Sequence, residues 1–216
     1  MFPLRDVIPS RTTPYVTYAL IFLNTTAFLL WWMLPLRQRD AVLYVYGLIP
    51  SAFSVPRLIA SMFLHASWGH VIGNMWPLWI FGDNVEDRLG HGRFLAFYFV
   101  AGAVAACTQT WLWPTSNLPI VGASGAIAGV MGAYFVLFPK SRIQVLVWLV
   151  VFIDIIEVPA IFFLGFWFLL QMFSGLGSLA DPGPIAFWSH LGGFLTGLLL
   201  VKLLERPERR GVEWWG

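Results

Sequence analysis

A six-helix, all-α membrane bundle is the fold class this sequence predicts, and three observations predict it. The 216 residues are 58% hydrophobic and 11% charged, where a soluble domain carries roughly a quarter charged residues. Six apolar stretches of helical length recur along the chain, separated by polar or proline-bearing connections. Twelve Trp and nineteen Phe suit a protein whose aromatic side chains settle at bilayer interfaces and between helices.

In chain order, the predicted helices run near Tyr15–Leu34, His70–Phe81, Phe94–Trp113, Ser124–Phe138, Ala160–Phe173 and Ile185–Leu204. Arg5, Asp6 and Arg11 with two prolines precede the first, which is too long for a signal-peptide core and lacks a small-residue cleavage site, so it reads as an uncleaved span. Between helices 1 and 2, Leu36–Ala66 is too apolar for a solvated loop and too interrupted for a span; it is expected in the outer leaflet. Helices 2 and 4 fall short of the roughly 20 residues a crossing needs, so their ends should stop inside the membrane or run into a polar cavity. The one cysteine, Cys107, lies in the third helix and reads as a small packing residue; no internal disulfide can form. Ile143–Val158 ends in Asp154, Glu157 and Pro159 and is expected as an interfacial, strand-like connection. Ser174–Pro184, with three glycines, reads as a mobile outer loop that could serve as a lid.

Basic residues orient the bundle. Arg5, Arg11, Arg88, Arg93, Lys140, Arg142, Lys202, Arg206, Arg209 and Arg210 fall on one side, against Arg37, Arg39 and Arg57 on the other. That asymmetry puts both termini in the cytoplasm. The expected organisation is one membrane domain over 1–216, with a cytoplasmic N-terminus (1–14) and a short cytoplasmic tail (205–216). A short chain with no targeting extension further suggests a prokaryotic plasma membrane. A net charge of +2, with no basic stripe, excludes a nucleic-acid partner.

Two polar groups stand out in this apolar setting. Ser124, in Gly122-Ala123-Ser124-Gly125, opens helix 4, and His190 sits within Phe187–Gly193 of helix 6. A serine hydroxyl is a poor nucleophile without an adjacent base, and a polar side chain in hydrocarbon is costly unless it faces a watered, protein-lined cavity. At a helix start, free N–H groups and the helix dipole favour the negative charge of a tetrahedral intermediate. Gly125 and Gly129 below Ser124, and Gly193 and Gly197 below His190, form small-residue faces that would let the two helices approach closely. In helix 2, His70 and Asn74 are four apart, on one face, and can both donate hydrogen bonds to a developing oxyanion. Ser124 by itself is equally a helix cap, and His70 and Asn74 by themselves an interhelical hydrogen bond. His65 is expected to face elsewhere and tie down the outer loop; His91 is expected in a solvated loop. Asp154 and Glu157 are expected on the membrane side opposite Ser124, so neither can orient His190.

Taken together these residues resemble the rhomboid family of intramembrane serine proteases. His65-x4-His70-x3-Asn74, Gly122-x-Ser124-Gly125, His190-x2-Gly193-x3-Gly197 and Glu86-x3-Gly90 carry the resemblance, in order, across most of the chain. It implies the rhomboid-like bundle, a Ser124–His190 catalytic dyad without an acid, and an oxyanion hole made by His70, Asn74 and the Ser124 backbone N–H. By the same resemblance His65 is the structural histidine of helix 2, Gly125 and Gly193 support the site, and Glu86 and Arg88 pair near the cytoplasmic face. Arg57 matches the basic residue of the first outer loop, with Pro56 before it where many members have Trp. Ala128 stands where some members place an aromatic against the histidine, so orientation of His190 must come from elsewhere.

The expected activity is cleavage of transmembrane segments of other membrane proteins through a Ser124 acyl-enzyme, with membrane lipid as surroundings, no cofactor and no metal. Aromatic helix 5, with Phe162, Phe163, Phe166, Trp167 and Phe168, could be a lateral gate or lipid-facing bulk. Three other readings stand beside it. One is a non-catalytic rhomboid-like protein that binds transmembrane helices. Another is a channel, disfavoured because the polar residues gather at one end of helices 2, 4 and 6. The last is a zinc protease, disfavoured because no His-Glu-x-x-His occurs.

Overall fold

The computed structural model describes residues 2–149, 152–179 and 186–209. Strand β1 (Phe2–Asp6) leads into α1 (Tyr15–Trp32), then α2 (Leu36–Tyr46), a 3-10 turn and α3 (Val55–Ser61). The bundle continues with α4 (Trp68–Leu89), α5 (His91–Leu112) and α6 (Ser124–Leu137), passes through β2 (Arg142–Leu149) and β3 (Phe152–Pro159), and closes with α7 (Ala160–Ser178) and α8 (Phe187–Leu204). The six expected spans correspond to α1, α4, α5, α6, α7 and α8. Of these, α1, α5, α7 and α8 are long and apolar enough to cross a membrane by length and composition alone. The fold is accordingly that of a helical, multi-pass membrane protein.

Helix α6 is the centre of the bundle. It is made almost entirely of small and aliphatic residues, all but three of them buried, and α4, α5, α7 and α8 surround it. Fourteen residues rise only about 21 Å at 1.5 Å each, short of the roughly 30 Å of hydrocarbon. With its C-terminus at one membrane face, a helix of this length would stop short of the other.

Helix α4 is longer than the sequence suggests. It extends past Phe81 to Leu89 because the charged turn Asp83–Arg88 is buried against the N-terminal segment and the end of α8 instead of facing solvent. The Glu86 carboxylate accepts from the backbone N–H of Val16 (2.9 Å) and Thr17 (2.8 Å) and from the Thr17 hydroxyl (2.7 Å), capping the otherwise unsatisfied start of α1. Arg88 pairs instead with Glu205 at the end of α8. The expected Glu86–Arg88 pair is thus replaced by two separate ties that fasten α1 and α8 to the same turn. His91 is solvated, its side chain 43% exposed, but is not in a loop: it opens α5, and its Nδ1 lies 2.6 Å from Glu86. Gly90, between the two helices at φ +82° and ψ 153°, takes a backbone conformation that side-chain-bearing residues rarely adopt, and any Cβ there would overlap the Arg206 guanidinium.

Ile143–Val158 is a hairpin, not a span, and β1 adds to it to make an antiparallel sheet in the order β1-β2-β3. Leu36–Ala66 carries α2, the 3-10 turn and α3. The expected mobile loop at Ser174–Pro184 is corrected in its first part, where α7 continues through Ser178; residues 180–185 lie outside the described residues. Cys107 is exposed on the outer face of α5, not a packing residue.

The N-terminal strand is fastened by a buried polar cluster. The Asp6 carboxylate accepts from Tyr134 Oη (2.6 Å) and Asn84 Nδ2 (2.7 Å), and Tyr134 also meets the Ser141 hydroxyl at 2.7 Å. Burial pushes the Asp6 carboxyl up to about 7, the Tyr134 hydrogen bond opposing it and nearby Asp83 adding to it. The folded protein therefore holds this proton more tightly than the unfolded chain, so the contribution to stability falls as pH rises from the ordinary carboxylate range to about 7. The expected result is a thermal midpoint in detergent that drops between pH 5 and pH 7.5, with part of that drop missing in Asp6→Asn. An unchanged drop in the variant would assign it to another group.

Candidate active site

The position of Ser124 is built from the chain that precedes it. Leu48 and Ile120 exchange backbone hydrogen bonds (3.0 and 2.8 Å), and the Gly122 N–H donates to the Ser61 carbonyl at 2.8 Å, tying the start of α6 to the outer segment. Gly122 has φ +119°, and a Cβ on it would sit 2.6 Å from His70 Nε2 and 3.5 Å from Asn74 Nδ2. Only glycine gives both that backbone and that space. The turn ends at Ala123, and Ser124 becomes the first residue of α6, where backbone N–H groups have no intrahelical acceptor and the dipole is positive.

His190 arrives on α8 by close helix packing. A Cβ at Gly193 would overlap the Gly125 carbonyl, and one at Gly197 the Gly129 carbonyl, so the two backbones touch at one level after another. One turn nearer the outer end, His190 Nε2 lies 2.8 Å from Ser124 Oγ. The serine and histidine, 66 residues apart in sequence, share a hydrogen bond of the kind that lets an imidazole take a hydroxyl proton.

The other face of the imidazole holds what the sequence reading missed. His190 Nδ1 lies 2.7 Å from the side-chain oxygen of Gln171, and the Trp167 ring is 6.1 Å from the imidazole centroid. Both belong to α7, four residues apart and so on one face. Orientation of His190 thus comes from a neighbouring helix. Its signal in the sequence was Gln171 itself, the single hydrogen-bonding side chain in the apolar run Ala160–Phe173 apart from the Trp167 indole. The aromatic stretch divides: Phe162 and Phe166 are exposed, whereas Trp167 and Phe168 pack against Phe194 of α8.

Asn74 and His70 lie on α4 and converge on Gly122, two residues before Ser124. The Ala66 N–H approaches His70 Nδ1 at 3.5 Å. With Nδ1 as acceptor the ring proton is on Nε2, the nitrogen aimed at Gly122, and can be donated there. The Asn74 amide nitrogen is buried with no partner among the described residues, an orphan donor at Gly122. His65 differs from expectation twice: it precedes α4 instead of lying in it, and its ring packs edge-on against His70 at 5.0 Å instead of facing elsewhere. It is 1% exposed, and burial holds its imidazole down to about 3, so it stays neutral beside its neighbour. Arg57 sits apart from this cluster in the first turn of α3, its N–H donated to Ser54 Oγ. Asp154 and Glu157 are on β3, beyond the C-terminal end of α6 and away from His190; Glu157 pairs with Arg142 at 3.6 Å. Among the described residues no three His, Cys, Asp or Glu side chains converge as metal ligands would.

The arrangement is a hydroxyl with an adjacent imidazole, and donors from His70, Asn74 and a helix start grouped around it. Such a group can attack a carbonyl and hold the resulting oxyanion.

Comparison with known proteins gives a consistent picture. The Rhomboid domain family matches residues 52–207. Over 209 residues, covering 92% of this chain and 57% of the relative, the sequence is 29% identical to the mitochondrial Rhomboid protein 1 of Saccharomyces cerevisiae. It is 30% identical to the human mitochondrial Presenilin-associated rhomboid-like protein over 208 residues, 91% of this chain and 51% of that one. It is also 30% identical to the chloroplastic Rhomboid-like protein 11 of Arabidopsis thaliana over 175 residues, 76% and 56% of the respective chains. The chain spans about half the length of the curated relatives it matches.

Proposed function

Because this chain belongs to the rhomboid family, we propose that it is an intramembrane serine endopeptidase acting on transmembrane segments of other membrane proteins. The observation that carries the reading is the 2.8 Å hydrogen bond between Ser124 Oγ and His190 Nε2, at a helix start. In this mechanism His190 removes the hydroxyl proton as Ser124 attacks the scissile carbonyl, and returns it to the leaving amine; water then releases the acyl group with His190 again as base. His70 Nε2, Asn74 Nδ2 and the Ser124 N–H are the proposed oxyanion donors. A substrate helix must unwind locally to offer its carbonyl, since a helical C=O is already engaged. His65 and Arg57 are assigned supporting roles, His65 by its packing on His70. Gly125 and Gly193 hold the helix contact. The proposal treats 1–216 as one membrane domain with the termini on the cytoplasmic, basic-rich side; Asp6 of β1 and Glu205 at the end of α8 both hydrogen-bond the last turns of α4. The relatives' names place those proteins in mitochondria and chloroplasts, and lend no support to a prokaryotic plasma membrane for this one.

The test is direct labelling of the nucleophile. Purified protein in detergent should react with a small fluorophosphonate at Ser124, with no labelling in Ser124→Ala and a large loss in His190→Ala. Asn74→Ala should slow cleavage of a transmembrane substrate about 100-fold, the worth of one oxyanion donor, and a metal chelator should change nothing. Absence of labelling from folded wild-type protein would leave the alternative, a rhomboid-like protein that binds transmembrane helices without cutting them.

A further inference from the structure

We infer that Gln171 is the positioning residue for His190: its side-chain oxygen accepts from Nδ1–H and so presents an unprotonated Nε2 to Ser124. The inference rests on the protease reading. It begins from the two hydrogen bonds of one imidazole, Nε2 to Ser124 Oγ at 2.8 Å and Nδ1 to Gln171 Oε1 at 2.7 Å. A neutral imidazole carries one ring proton, and each ring nitrogen is donor or acceptor accordingly. If the proton sat on Nε2, that nitrogen would face the hydroxyl as a donor and could not remove its proton. With the carboxamide oxygen at Nδ1, the proton is drawn to Nδ1 and Nε2 is left as the base.

Among the described residues the carboxylates are elsewhere. Asp154 and Glu157 lie on β3 beyond the far end of α6, and Glu86 and Glu205 are engaged at the α4 and α8 C-termini. An amide fixes the tautomer and ring direction but brings no negative charge to the imidazolium that forms during proton transfer. Gln171 therefore performs the orienting half of the work that a carboxylate does in a three-residue arrangement. The placement also accounts for an otherwise costly residue. Between Ala160 and Phe173 every other side chain is apolar or aromatic, and the helix is largely exposed on its outer face; a carboxamide there needs a partner within the protein. Trp167, one turn earlier on the same face, packs against the same ring, so α7 sets both the plane and the protonation of the base.

The experiment compares wild type, Gln171→Leu and Gln171→Glu, each checked for thermal unfolding, on a purified transmembrane substrate. Gln171→Leu should lower kcat about 10- to 100-fold with KM little changed. Gln171→Glu should recover a large part of that loss and move the acid limb of the rate–pH profile to higher pH, because a carboxylate at Nδ1 favours the protonated ring that cannot act as base. A merely structural glutamine would give neither the recovery nor the displaced limb. Alongside, 15N spectra of the His190 ring in a Ser124→Ala background should show the proton on Nδ1, and a mixture of tautomers once Gln171→Leu is added. This spectrum needs no turnover, so it decides the matter even if the protein proves not to be a protease. Wild-type kcat in Gln171→Leu, or the same tautomer with and without Gln171, would overturn the proposal.

Discussion

Replacing Ser124 with alanine is expected to lower cleavage of a reconstituted transmembrane substrate by about four orders of magnitude or more, to the level of an empty vesicle control. The hydroxyl is the atom that would form the bond to the substrate, and among the described residues it is the one hydroxyl hydrogen-bonded to His190. The loss should come without loss of fold. Among the described residues the Ser124 side chain makes one hydrogen bond, to His190, and does not cap its own helix, so Ser124→Ala should unfold within a few degrees of wild type. His190→Ala should lose a similar factor, and the double variant little more, because two groups that act as a unit do not contribute additively. Residual cleavage by Ser124→Ala at a tenth of the wild-type rate would be incompatible with an acyl-enzyme at this position.

Gly193→Val is expected to be nearly as damaging by a different route. The Cβ alone would overlap the Gly125 carbonyl, and that neighbour is backbone of the central helix, not a side chain that can swing aside. Helices α6 and α8 must then separate along the whole seam, since Gly197 repeats the contact with Gly129 one turn further down. Overpacking of this kind typically costs about 1–3 kcal/mol and sometimes more. The consequence for chemistry is sharper than for stability. A displacement of about 1 Å lengthens the 2.8 Å bond beyond useful proton-transfer reach, and misplacements of that size can lower rates about 100-fold. Activity should therefore collapse in a variant that still purifies as a folded, if less stable, protein; full activity in Gly193→Val would mean the seam does not set the distance.

The spans and the cluster of Ser124, His190, His70 and Asn74 were legible because each rests on a local signal: an apolar run, a polar group inside it, or glycines at helical spacing beside it. What escaped notice has a common cause. The charged turn Asp83–Arg88 reads as the polar end of a short helix, yet it is buried, because its partners, the start of α1 and Glu205, lie at opposite ends of the sequence. His91 reads as a loop residue among glycines until Glu86 is seen beside it. Gln171 was hidden by its surroundings, as an aromatic helix invites an explanation in terms of bulk and a single amide within it is easily passed over. Pairings across long sequence separations leave no periodicity to find. Seams of glycine do, and that is why the approach of α6 to α8 could be anticipated while the second partner of His190 could not.

The strand at the beginning of the chain carries a consequence for biogenesis. Phe2 pairs with Leu146 and Asp6 with Ile143, so this strand has no sheet partner until α1 through α6 have been made. Trp76 accepts them only in part, through the hydrogen bond from its indole to the Pro3 carbonyl. Insertion can thus proceed helix by helix, but docking of this segment waits for the hairpin, and loop closure over that span is entropically late. Newly made protein should pass through a stage in which an added protease clips this strand, with resistance gained only once the polypeptide has been completed through β2.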